Sequence, residues 1–168
     1  MRIGWLASTA TILLTLASTV LALPRSGEPF PDMTAQDLTG GVHSTTELRG
    51  RRTLVVAITN RGAGNAMRAW YAAADSRMPS NVGRESLLSL RLPFFVSMGQ
   101  ARDKARHQVP RQYWQATLLD RGDMAKQLGL DDAQVPYVFV LDERGVVVAA
   151  VHATVDSPQA REIWTAFP

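Results

Sequence analysis

The chain has 168 residues, no cysteine, 46% hydrophobic and 20% charged residues, which fits one globular domain held by core packing and excludes disulfide staples. Its formal net charge of +3 would become 17 − 15 = +2 if Arg2 left with a leader, too small an excess to imply nucleic-acid or membrane binding. Basic charge comes almost entirely from arginine, with lysine only at Lys104 and Lys126.

Residues 1–22 read as a secretory signal. Arg2 supplies the basic start, "IGWLASTATILLTLASTV" the apolar run, and Val20-Leu21-Ala22 the small residues of a cleavage site. The mature domain is then expected over 23–168, in the periplasm or secreted. Retained instead, the segment would act as a membrane anchor, and only then is membrane contact expected. No cysteine follows the cleavage site, so lipid attachment there is excluded.

The Pro-rich "LPRSGEPFPDMTAQDL" predicts an extended entry segment. "DLTGGVHSTTELRG" reads as a hairpin around Gly40-Gly41, followed by a loop at Gly50. "TLVVAITN" (53–60) is a continuous β-branched run, hence a strand buried on both faces. From Asn65, a candidate N-cap, Ala66, Met67, Trp70, Ala73, Ala74 and Met78 follow helical spacing up to Pro79, which places Trp70 in the core. "RLPFFVSM" (91–98) reads as the next strand, and the polar stretch to Pro110 as a helix. "WQATLLD" (114–120) predicts a short strand and "RGDMAKQLGL" a short helix closed at Gly129. "PYVFVLDERGVVVAAVHA" is a hairpin turning at "DERG". "SPQAREIWTAF" is a closing amphipathic helix, with Ser157 at its N-cap and Pro158 at its first position. Strands alternating with helices require parallel crossovers, so the expected architecture is a mixed sheet with helices on both faces.

Three stretches carry a resemblance. "PFPDMTAQDLTGGVHSTTELRGRRTLVVAIT", the strand–loop–helix at 53–78, and "LGLDDAQVPYVFVLDERGVVVAAV" resemble the thioredoxin-like superfamily, in particular its exported TlpA and peroxiredoxin (AhpC/TSA) members. The resemblance implies a three-layer α/β/α fold with a central mixed sheet and an N-terminal β-hairpin. It also implies a cis Val135-Pro136 peptide facing the loop after the first core strand; without it, Pro136 reads as an ordinary trans proline at a strand start. Aligned on that strand, Gly62-Ala63-Gly64-Asn65 occupies the place of the family's Cys-x-x-Cys. Thiol–disulfide exchange needs a thiolate and a resolving sulfur, and a peroxiredoxin reaction needs at least one thiolate. Neither is available from this chain.

Function expectations follow from that departure. The leading one is a redox-inactive, chaperone-like binding module that grips a protein or extended peptide. Thioredoxin-like ATP-synthase assembly factors are similar in needing no Cys-x-x-Cys. The alternatives are a thiol oxidoreductase or peroxiredoxin by ancestry and a small-anion carrier. The candidate binding surface is Arg61, Gly62, Ala63, Gly64 and Asn65 with Val135 and Pro136, since a helix N-terminus beside an arginine suits an anion. No catalytic residue, metal or cofactor is assigned. His43, His107 and His152 lack metal-site spacing and read as solvated or singly satisfied. "RDKARHQVPR" (102–111) is the one basic cluster, read first as a solvated helix face and second as a docking patch, with Tyr113 and Trp114 beside it.

Overall fold

The computed structural model describes residues 23–167; the leader expected over residues 1–22 lies outside them. The element order is the expected one. Strands β1 (Thr34–Asp37) and β2 (Val42–Ser44) form the first hairpin, and a 3-10 turn over Thr45–Leu48 leads to β3 (Thr53–Ile58). Then come α1 (Gly64–Arg77), β4 (Gly83–Ser89), α2 (Met98–Arg106), β5 (Thr117–Asp120) and α3 (Asp123–Gln127). The closing hairpin is β6 (Tyr137–Leu141) and β7 (Val147–His152), followed by α4 (Ala160–Thr165).

The seven strands form one sheet in the order β2-β1-β5-β4-β3-β6-β7. β3, β4 and β5 run parallel, while β1, β2, β6 and β7 join by antiparallel pairing. Every residue of β3 is buried, which its lack of polar alternation predicts. Side chains alternate across the sheet. Leu54, Val56 and Ile58 meet Met67, Trp70 and Ala74 of α1 and Ile163 of α4. Val55 and Ala57 join the opposite core with Phe30, Leu48, Met124 and Phe139. Trp70 is fully buried, its indole N–H donating to the Ala153 carbonyl at 2.9 Å and its ring 5.2 Å from that of Trp164.

The strand read at 91–98 lies earlier, over Gly83–Ser89. "GRESLLS" hides its strand character because Glu85, Ser86 and Ser89 are polar yet buried. Tertiary partners make that possible: Ser86 Oγ lies 2.8 Å from the Tyr71 hydroxyl, and Ser89 Oγ donates to Asp120 at 2.6 Å while accepting from Ala125 N–H. Residues 91–97 form a loop, tightened by a 3.0 Å bond from Val96 N–H to the Pro93 carbonyl. Phe94 and Phe95 stand out from it at 94% and 72% exposure.

The "DERG" turn forms as expected. Asp142 Oδ1 accepts N–H groups of Arg144 and Val146 at 2.9 Å each, and Gly145 takes a positive φ of 79°. Ser157 does not cap α4 with its hydroxyl, which instead donates back to the Thr154 carbonyl at 2.8 Å; α4 begins only at Ala160.

Candidate functional site

β3 ends at Ile58, and the chain must turn there to start α1 back across the sheet. Asn60 makes the turn: its side-chain carbonyl accepts Gly62 N–H at 2.8 Å and caps a 3-10 turn over Arg61–Ala63. Asn65, the expected cap, sits one residue inside α1, whose own N-terminus has no side-chain cap. Asn65 is exposed and accepts instead from the Arg68 guanidinium.

The loop is sewn to the segment before β6. Thr59 Oγ1 donates to the Asp131 carbonyl at 2.8 Å and accepts Ala133 N–H at 3.0 Å, while the Asn60 amide reaches Asp132 Oδ1 at 3.0 Å. A Cβ on Gly62 would stand 3.4 Å from the Gln134 side chain. The turn carrying Arg61–Asn65 and the segment leading to Val135-Pro136 are therefore neighbours. Ala63 is buried and belongs to the core; Arg61, Gly62 and Asn65 are exposed, and Gly64 is partly exposed.

Val135-Pro136 departs from the expectation. No cis peptide occurs among the described residues, so this bond is trans. Trans is the favoured X-Pro isomer by about 0.5–1 kcal/mol, and here it feeds β6 directly. The Pro136 carbonyl accepts Ala153 N–H at 3.3 Å, extending the β6–β7 pairing by a rung. The Val135 N–H and C=O make no hydrogen bond among the described residues.

Behind the turn, α1, α2 and the C-terminal ends of β3, β4 and β5 border a cavity of about 260 Å³ that is open to solvent at the exposed Arg61, Arg68 and Lys104. Its wall is apolar, from Ile58, Met67, Leu88, Leu90, Leu92 and Leu119. Arg61, Arg68 and Lys104 line it too, and no acidic residue does among the described residues. Sequence reading placed Lys104 only in a basic cluster; the topology that brings α2 over the strand ends gives it a position. Two other members of that cluster are engaged: Arg102 bonds the Gln36 side chain, and Arg106 pairs with Asp103 at 3.1 Å while lying 5.1 Å over the ring of the partly buried Trp114.

The histidines stand apart from this site. His43 is held doubly, Nδ1 at 2.9 Å from Glu47 and Nε2 at 3.0 Å from buried Asp37, so both ring nitrogens are taken. The hydrogen bond to Glu47, with the one to Asp37, raises the His43 pKa against the opposing effect of burial. Burial alone would raise Asp37, but the Thr39 hydroxyl and the N–H groups of Thr39, Gly41 and Gly40 hold it below its ordinary value. This cluster ties the first hairpin to the 3-10 turn after it. His152 stacks on Tyr137 with ring centroids 4.0 Å apart, and His107 is exposed at the end of α2.

Parallel β3–β4–β5, antiparallel β6–β7 and helices on both faces define a thioredoxin-like fold, and the absence of cysteine defines a variant without the Cys-x-x-Cys. Known structures agree on the fold. A thiol peroxidase from Chromobacterium violaceum superposes with a TM-score of 0.62 at 18% identity, over 86% of each chain. An exposed lipoprotein thioredoxin from Streptococcus pneumoniae gives 0.56 at 9% identity, over 82% of this chain and 100% of the other. A peroxidoxin from Mycobacterium tuberculosis gives 0.57 at 16% identity, over 84% and 95%. No family model matches the sequence, and no curated protein matches it.

Proposed function

We propose that this chain is an exported, redox-inactive thioredoxin-like protein that acts as a binding module, holding a protein or extended peptide segment across Arg61–Asn65 and Val135-Pro136. The observation that carries this reading is a strand–turn–helix junction kept in full, and sewn to the segment before β6, in a chain with no thiol. The unengaged Val135 N–H and C=O support it, because a peptide laid alongside can pair with them as in strand addition. Arg61, which forms no ion pair among the described residues, adds a positive potential beside the N-terminus of α1. The apolar leader and its cleavage motif support export.

The test is partner recovery by the tagged, exported protein, followed by mass spectrometry. Arg61→Glu reverses the charge at an exposed position and is expected to fold normally while recovering less of the partner. A folded Arg61→Glu variant that recovers the same partners at full yield removes this surface from consideration.

A further inference from the structure

The cavity between α1 and α2 has a chemistry of its own. Its wall is hydrocarbon, while Arg61, Arg68 and Lys104 supply only positive charge to its lining. Arg61 and Lys104 form no ion pair among the described residues, and Arg68 reaches only the neutral side chain of Asn65. Among the described residues, Arg49, Arg52, Arg84, Arg106 and Arg144 do pair with carboxylates. A second hollow of about 310 Å³ lies beside it along α1, lined by Tyr71, Tyr113 and the Asp75–Arg84 ion pair, and shares Met67, Arg68, Gln108 and Val109 with the first. Met67, unbranched and in the shared wall, adapts to a flexible acyl chain.

We propose that this cavity binds an amphipathic monoanion of the medium-chain acyl carboxylate class. The carboxylate sits among Arg61, Arg68 and Lys104, and the acyl chain lies on Met67, Leu88 and Leu119. Each methylene taken from water adds hydrophobic driving force, and the guanidinium groups offer the charge-assisted hydrogen bonds a carboxylate requires. The inference rests on the binding-module reading, since it shares Arg61 with the proposed peptide surface and names a small ligand for the space behind it.

The experiment is calorimetric titration of the mature protein with decanoate below its micelle concentration. Acetate tests the head group alone, and decyltrimethylammonium the chain with the opposite charge. Saturable one-to-one binding of decanoate is expected, with neither control saturating by about 1 mM. Lys104→Glu, an exposed change outside the peptide surface, is expected to weaken decanoate at least about tenfold. Ala105→Phe, which projects a ring into the cavity, is expected to abolish binding. No saturation by the wild type, equal affinity for decyltrimethylammonium, or undiminished binding by folded Lys104→Glu would overturn the proposal. Because Lys104 is not part of the peptide surface, the two readings fail separately. Absent decanoate binding with partner recovery still sensitive to Arg61→Glu removes the ligand and leaves the binding module. Decanoate binding with partner recovery indifferent to Arg61→Glu removes the peptide surface and leaves a small-anion carrier.

Discussion

Glu85 is a carboxyl group on a central strand, 7% exposed, and burial pushes its pKa up to about 8. Its folded-state value lies above the ordinary 4.5, so its contribution to stability is complete below pH 4.5 and is lost as pH rises through about 8. His43 has the same sign. Its pKa is raised by Glu47 first, so its contribution is complete below the ordinary 6.5 and is lost as pH rises through the folded value. Asp37 and Asp142 run the other way: both are held below the ordinary 3.8, against the opposing pull of burial, by N–H groups and by Thr39 and Arg144 respectively. Their contribution is present above pH 3.8 and is lost as pH falls through their folded values. Stability is therefore expected to peak between about pH 4 and 5 and to decline toward pH 8. Urea unfolding across pH 3 to 9 measures this. Glu85→Gln should flatten most of the decline, leaving the smaller part above pH 6.5 that His43→Gln then removes. A Glu85→Gln profile parallel to the wild type would show that Glu85 does not carry the dependence.

Among the elements, the junction after β3 separates two asparagines five residues apart. Asn60 caps the 3-10 turn and also bonds Asp132, whereas Asn65 touches only Arg68 from an exposed position. Asn60→Ala is expected to cost about 1–2 kcal/mol and Asn65→Ala less than about 0.5 kcal/mol, read as shifts in the urea midpoint at constant slope. Equal costs would mean that the cap does not organise the turn. The loop at 91–97 makes a complementary case. Phe94 and Phe95 lie against each other at 5.5 Å between ring centroids and otherwise face water. Phe94→Ser with Phe95→Ser should therefore change stability by less than about 0.5 kcal/mol, where a buried strand would lose several times that. These residues look like strand by composition because sequence patterning cannot tell an apolar segment that is covered from one that is not.

At the scale of the molecule, one sheet separates two cores that share β3, β4, β5, β6 and β7. Trp70 fills one and Phe139 the other, both fully buried. Trp70→Ala and Phe139→Ala are each expected to cost about 3–5 kcal/mol, and because the strands between the cores are common to both, each variant should still unfold in one transition by circular dichroism and fluorescence. Non-coincident transitions in either variant would show that the faces unfold independently. The same sheet explains where the candidate site lies. Parallel strands carry their connecting turns to one end, so the turns after β3, β4 and β5 gather beside the start of β6.

By itself the sequence determined the order of elements, the buried β3, the Trp70 face of α1, the "DERG" turn and the absence of cysteine. Each of these is local: a periodicity, a turn composition or a missing atom type acts over a few residues and leaves its mark there. The three-layer fold was legible for the same reason, since alternation of strands and helices forces the crossovers. Only the tertiary structure decided the rest. β4 became a strand because Tyr71, Asp120 and Ala125 supply partners for its buried serines, and none of these is its neighbour in sequence. Val135-Pro136 is trans, and its Pro136 carbonyl continues the ladder to β7, a partner 17 residues away in sequence. Arg61, Arg68 and Lys104 line one cavity because parallel crossovers lay α1 and α2 over the same strand ends. Convergence of distant residues is a property of how elements pack, and no local pattern along the chain encodes it.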